Sequence, residues 1–223
     1  RPQIVKQYAQ GNIAEMQQLL TNAAKFYILL YGIIMIPLFI EIESVLRLWL
    51  GQVPPYTVQF CRATLLCQAI SSQVIIANIA IHATGKIKSV SFISGSIYIL
   101  TLIPAYVVLQ FTNSPTSVYA VLLIMFSCLL ASSFYIAQYL IQGLKVSKIA
   151  FAAYGKALVV CAISAITSFG LCQIMPQSTT RILITSIFSA TVMFTLTYFA
   201  VLNAEQRKAV IACIKSKFKK NNA

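Results

Sequence analysis

The residue types that catalyse hydrolysis or bind metals are scarce in this chain. It has one histidine, four glutamates and no aspartate, too few to build an ordinary hydrolase site. The cysteines show no CxxC pair and no Cys/His spacing of the kind that binds zinc. We therefore expect no enzyme activity, no cofactor and no metal, and we interpret the cysteines as small buried hydrophobic residues. They are Cys61, Cys67, Cys128, Cys161, Cys172 and Cys213.

Two carboxylates, Glu41 and Glu43, lie near the far end of an apolar block. A proton-coupled carrier would use such a carboxylate to change protonation as its cavity alternates. However, Glu43 and Arg47 are four residues apart, in the favourable order for a helical ion pair. The spacing favours the ion pair, and ion coupling through Glu41 or Glu43 stays the alternative.

A line of polar residues runs along one helical face within the second apolar stretch. Lipid does not tolerate glutamine and asparagine without partners, so this face must contact other helices or a water-filled cavity. The sequence leaves both alternatives open. Gln73 falls outside the line, and His82 lies beside a loop at the level of the lipid headgroups. The line consists of Thr64, Gln68, Ser71, Asn78 and His82.

A comparable line follows the fourth apolar stretch, through Ser127, Ala131, Tyr135, Gln138 and Gln142. The two lines together give a candidate substrate-binding face. Its members are Thr64, Gln68, Ser71, Asn78, Tyr135 and Gln138.

The elements that carry these residues are predicted to be membrane-spanning helices. From Ser89 to Leu144 the chain has 56 consecutive uncharged residues, and about 20 residues cross a bilayer core. That run therefore holds two spans, with a reversal at residues 113–117, where the turn-forming residues cluster. One block from about Phe26 and three runs of 23, 24 and 23 uncharged residues bring the total to six spans. The mean hydropathy of +0.81 agrees. The predicted fold class is an all-α integral membrane protein.

The cations alternate between loops, and this predicts the orientation. If both ends lie on one side, that side collects 14 of the 17 lysines and arginines, whereas the other has only Arg47, Arg62 and Arg181. Cytoplasmic loops retain positive charge, so both ends are expected in the cytoplasm. A nucleic-acid surface would gather its cations on one folded face, so we expect no nucleic-acid partner for this basic chain.

Five segments follow from these patterns. They are a cytoplasmic amphipathic segment at 1–25, four spans at 26–143, a cytoplasmic loop at 144–156, two further spans at 157–204, and a basic cytoplasmic tail at 205–223.

The first and last of these segments are expected at the cytoplasmic surface. Asn12 and Glu15 fit a capping box at the start of an interfacial helix that would turn into the first span. Pro37 and Pro104 are expected to kink their spans. The tail fits a basic helix on anionic lipid or a solvated tail, and both stay open. Because no initiator methionine or signal precedes the spans, we expect the chain to begin inside a longer protein.

Three patches near the span ends have recognisable sequences. They are Pro2–Gly11 (PQIVKQYAQG), Val45–Gly51 (VLRLWLG) with Pro54-Pro55-Tyr56, and Ala83–Lys88 (ATGKIK). In their order and position they resemble the polysaccharide flippases of the MOP exporter superfamily, which include Wzx-like O-antigen transporters. The resemblance covers about residues 1 to 90 by motif, and beyond that rests on span count and loop length.

The resemblance implies a bundle of 12 to 14 helices in two lobes that open alternately to either face. Spans one to four would complete the second lobe, and spans five and six would be an added C-terminal pair. The first lobe would belong to a missing N-terminal part of the same protein, together with most of the cations that bind the lipid pyrophosphate.

The function that the resemblance implies is transport of an undecaprenyl-pyrophosphate-linked oligosaccharide across the bacterial inner membrane. The expected partners are the bilayer, this lipid-linked oligosaccharide and the machinery that polymerises glycans. The alternatives are a MATE-type small-molecule exporter and a non-transporting scaffold or degenerate fragment. A MATE-type exporter should carry carboxylates inside its helices, and the sequence has no aspartate for that role.

Overall fold

The computed structural model describes residues 2–112, 114–203 and 206–207, and these residues form helices and connecting turns without strands. Six of the helical segments are long and apolar enough to cross a membrane, as expected of a multi-pass membrane protein, which confirms the number of predicted spans. The third and fourth segments are separated at residues 112–114, where the reversal was predicted. The helices are α1 (Pro2–Ala9), α2 (Ile13–Leu50), α3 (Thr57–Ala83), α4 (Ile87–Leu100), α5 (Leu102–Phe111), α6 (Val118–Leu140), α7 (Val146–Ile174) and α8 (Thr179–Leu196), with a 3-10 turn at Pro115–Ser117 and a π-helical turn at Thr197–Val201.

The first span and the segment before it form one continuous helix, so the expected turn between them is absent. Helix α2 has 38 residues and is about 57 Å long at 1.5 Å per residue, well beyond a bilayer core of about 30 Å. The predicted capping box is also wrong, because Asn12 makes no side-chain cap. Its amide instead donates to Gln7 Oε1 at 3.1 Å.

The third span is interrupted at Thr101, between α4 and α5. Pro104 has no amide hydrogen to donate to the carbonyl of Leu100, four residues earlier, and its ring disfavours that turn. The hydroxyl of Thr101 donates to the Ile97 carbonyl at 2.6 Å. Pro37, in contrast, lies inside α2 without ending it.

The spans pack in two groups that share α2. Helix α3 packs mainly on α6, where Val74, Met125 and Leu129 form a buried cluster. Helix α2 packs on α7 and α8, with Ala157 and Met193 at the centre of their contact. Helix α2 also contacts α3 and so joins the two groups.

One end of the bundle is closed by a cluster to which α1, α2, α3, α4, α6, α7 and the turn after α6 contribute. It includes Ile4 of α1, Met16 of α2, Ile81 of α3, Ile141 after α6 and Ile149 of α7. The starts of α2 and α7 and the ends of α3 and α6 therefore meet there, as alternating spans require. We call this the lysine end, because the loops and helix ends that meet there carry most of the lysines outside the tail.

Helices α4 and α5 are the least enclosed part of the bundle, with only Val90 buried. Their large apolar side chains face outward, as expected of a surface in contact with lipid or with further helices. The basic tail lies, apart from residues 206 and 207, outside the described residues. Its predicted helix and Asn113 of the predicted reversal lie outside them as well.

Candidate functional site

Two neighbouring cavities form a groove among α2, α3, α6 and α7. The inner cavity has a volume of about 400 Å³ and lies between α2, α3 and α7. The outer cavity has a volume of about 520 Å³ and opens along α6. Ile70, Leu130 and Tyr154 line both, so the cavities are contiguous. Their size is that of a pocket for a small ligand or for part of a larger one.

Three tyrosines fix the walls of the inner cavity. Tyr27 and Tyr31 stand one helical turn apart on α2, with their rings stacked at 5.7 Å. The hydroxyl of Tyr27 bonds Ser72, and that of Tyr31 donates to a backbone carbonyl of α3 at 2.9 Å. From α7, Tyr154 donates to Gln73 Oε1 at 3.3 Å. These bonds tie α2 and α7 to the same face of α3.

Gln73 is the polar residue of this wall with unused hydrogen-bonding capacity. It is 4% exposed, and its carboxamide oxygen accepts from Tyr154. Its Nε2 group has no partner among the described residues. A buried amide nitrogen without a partner costs free energy, so an acceptor group that comes within hydrogen-bond distance of Nε2 would be stabilised there.

Four of the five residues in the predicted line on α6 line the same cavity. Ser127, Ala131, Tyr135 and Gln138 all line the outer cavity, on the side that faces outward from the bundle. Gln142 is exposed beyond the end of α6 and does not line it.

The residues of the predicted line on α3 line neither of these cavities. Thr64 lies 3.2 Å from the hydroxyl of Tyr119, a contact between helices. Gln68 is exposed and bonds Ser72 and Ser71 of its own helix. Asn78 is partly buried, and its side-chain oxygen has no partner among the described residues. His82 is exposed near the end of α3.

The predicted ion pair between Glu43 and Arg47 is present, with 2.6 Å between Nη2 and Oε1 on the exposed surface of α2. Glu41 is not exposed at a boundary but 1% exposed inside the bundle. Its Oε2 accepts from Arg181 Nη2 at 2.8 Å, across 140 residues of sequence. Its Oε1 accepts from Thr185 and Cys172.

Arg181 also donates to Ser44 and to the carbonyl of Met175. The Glu41–Arg181 ion pair therefore joins α2 to α8, and the hydrogen bond from Cys172 adds α7. The two buried charges neutralise each other. A carboxylate so paired does not bind a transported cation while the pair is intact.

The sequence analysis did not identify Gln73 as the partner of Tyr154 or Arg181 as the partner of Glu41. Gln73 was set aside because it falls outside the polar line, although the line turned out to be the more exposed face. For Arg181 a signal existed. The cation count had already placed it on the same side as Glu41, and few acids on that side could neutralise it.

The metal-ligating residues do not cluster in the part of the chain that the structure describes, where no group of three or more could hold an ion. The five cysteines described there are free, and Cys213 lies outside.

Comparison of the chain with protein-family models, curated proteins and solved structures gives no match.

Proposed function

We propose that this chain is part of a carrier that moves a lipid-linked oligosaccharide across the bilayer by alternating access. The observation that carries the proposal is the groove, whose inner cavity is lined by Tyr31, Gln73 and Tyr154 and whose outer cavity is lined by Tyr135 and Gln138. Gln73 Nε2 has no hydrogen-bond partner among the described residues. Tyrosine rings offer flat apolar faces with a polar tip, and carboxamides both donate and accept hydrogen bonds. Sugar rings present this combination of apolar faces and hydroxyl groups.

The charge of the groove supports a sugar over an organic cation. No charged side chain of the described residues lines either cavity. The buried carboxylate, Glu41, is neutralised by Arg181 at 2.8 Å. A MATE-type exporter would need a carboxylate in its path, so this alternative is the weaker one. The pyrophosphate would be bound elsewhere, as the family resemblance also implies.

The three resembling patches supply a second line of support. Each includes or adjoins a turn with a glycine at positive φ, namely Gly11, Gly51 and Gly85. A side chain at such a position is strained, so these glycines are needed to end or join the helices.

The first experiment is deletion of the gene that encodes the chain. We expect loss of a surface polysaccharide, with lipid-linked repeat units accumulating on the cytoplasmic side. Their synthesis should continue at a normal rate. If repeat units are no longer synthesised, the protein is an assembly enzyme. If the surface polysaccharide is unchanged, the proposal is wrong.

The groove itself is tested by restoring the gene with Gln73→Leu. Transport per folded molecule should fall several-fold, because the substrate loses its buried donor. Folded protein should remain abundant, since one weak bond to Tyr154 is worth about 0.6 kcal/mol in a membrane bundle. Gln68→Leu is the matched control, with the same change on the same helix outside both cavities. Equal transport by the two variants, normalised to folded protein, would remove the groove as the site.

A further inference from the structure

A second cleft lies at the lysine end, away from the groove. It has a volume of about 930 Å³ and is formed by the start of α2, the start of α7 and the end of α8 with its π-helical turn. Lys25 and Lys156 both line it. The groove, by contrast, has no charged side chain from the described residues.

The polar part of the cleft is rich in hydrogen-bond donors. Lys25 is 7% exposed, and its Nζ donates to Gln206 Oε1 at 3.3 Å. Gln206 in turn donates to Asn22 Oδ1 at 3.3 Å. An ammonium group has three hydrogens, so this bond leaves capacity for a ligand. No carboxylate among the described residues lies within ion-pair distance of Lys25 or Lys156.

The apolar part of the cleft continues along α7 toward the middle of the membrane. Val159 and Ile163 line it beyond Lys156 and are exposed, whereas Phe151, also exposed, lines the cleft nearer the start of α7. Between Phe151 and Val159, Gly155 leaves an opening, because a Cβ atom added there would have no neighbour within 4 Å. A cationic mouth above an exposed apolar wall matches the order of groups in a phospholipid, with its phosphate at the headgroup level and its acyl chains below.

We propose that this cleft binds an anionic phospholipid, with the phosphate on Lys25 and Lys156 and an acyl chain along Val159 and Ile163. Basic pockets between membrane helices are suited to anionic headgroups. The ligand is a lipid of the surrounding leaflet, so the proposal is independent of the transported substrate. The bound lipid would bridge α2, α7 and α8 at the lysine end.

The test uses the full chain in vesicles and tryptophan quenching by brominated lipids. Trp49 is the single tryptophan and lies at the other end of α2, so Trp49→Phe with Phe151→Trp gives a reporter in the cleft. We expect the reporter to prefer brominated phosphatidylglycerol several-fold over brominated phosphatidylcholine. The natural Trp49 should show no comparable preference. Equal quenching by the two lipids at position 151 would overturn the proposal.

Charge is tested in the reporter background with Lys156→Gln and Lys25→Gln. Each should lower the preference about fivefold, the effect of one lysine near an anionic surface. Lys148→Gln is the matched control, an exposed lysine of the same helix that does not line the cleft. An equal loss with Lys148→Gln would mean general surface attraction and would contradict a site.

Shape is tested without a change of charge. Gly155→Leu should fill the cleft and abolish the preference, whereas Gly170→Leu, on the same helix and also in open space, should not. An unchanged preference with Gly155→Leu would place the lipid elsewhere. Excess glycerol 3-phosphate should not displace the lipid, and displacement would identify a soluble phosphate as the ligand instead. All these readouts are of binding, so loss of transport activity would not affect them.

Discussion

Glu41 is the least exposed of the charged residues that the structure describes, at 1%. Its carboxylate is removed from water, and it receives hydrogen bonds from Arg181, Thr185 and Cys172. Arg181 is itself buried and is further bonded to Ser44. Removing two charges from water costs several kcal/mol each, and only close pairing with additional hydrogen bonds offsets that cost. The pair joins α8 to α2.

Replacing one partner of this pair should therefore destabilise the fold strongly. Arg181→Met leaves the Glu41 carboxylate buried without a counter-ion, and we expect a loss of about 3 to 5 kcal/mol in the free energy of unfolding. The measurement is denaturant or thermal unfolding of the purified chain in detergent.

The exposed pair of α2 provides the control for that measurement. Arg47→Met breaks the Glu43–Arg47 bond, and exposed pairs contribute about 0 to 1 kcal/mol. The double variant Glu41→Leu, Arg181→Met should recover most of the loss, because neither charge then remains buried. Similar losses for Arg181→Met and Arg47→Met would show that the buried pair does not hold the helices together.

Two prolines within spans have different effects on their helices. Pro37 lies inside α2, which continues to Leu50, and α2 packs on α3, α7 and α8. Pro104 follows a break at Thr101, in the span with the least burial. A proline removes the same bond in both places. The difference lies in the packing, because neighbouring helices on several sides hold α2 in register whereas the α4–α5 span has few such contacts.

Pro104→Ala should join α4 and α5 into one helix. The new amide at position 104 can donate to the Leu100 carbonyl, so hydrogen exchange around residues 101 to 105 should slow. Mass spectrometry of exchanged peptides measures this directly. Pro37→Ala is the comparison, and it should change exchange little because α2 is already continuous. Unchanged exchange near Thr101 in Pro104→Ala would mean that the break has another cause.

The whole molecule has a lysine end and an opposite end that carries Arg47, Arg62 and Arg181. Alternating spans bring the loops of like charge to the same end, and the cluster around Met16, Ile81 and Ile149 shows which helix ends meet at the lysine end. The proposed orientation places the lysine end in the cytoplasm. The same end has the proposed lipid cleft, so its anionic ligand would lie in the cytoplasmic leaflet.

Cysteine labelling tests this orientation in a background without native cysteines. Gln52→Cys and Gln177→Cys, at exposed positions of the opposite end, should react with an impermeant thiol reagent added outside intact cells. Ser89→Cys and Gln142→Cys, exposed at the lysine end, should react only after the membrane is opened. The reverse pattern would invert the proposed topology.

The number and placement of the spans could be predicted because each depends on local properties. A run of about 20 apolar residues must cross the bilayer as a helix, since backbone groups have no water to bond there. The Glu43–Arg47 pair and the α6 line are also local, because helical periodicity brings together residues three or four apart. The sequence alone sufficed for these features.

The rest depends on how the helices pack. Helical periodicity identifies a polar face but not its neighbours, so it predicted the polar line on α3 and left Gln73 outside that line. The tertiary structure placed Gln73 opposite Tyr154 on α7, and Glu41 opposite Arg181 on α8. These partners are 81 and 140 residues apart, and no local rule joins residues at that separation. Only the packing of whole helices decides which buried polar groups meet, because each must find a partner that is itself fixed by the fold.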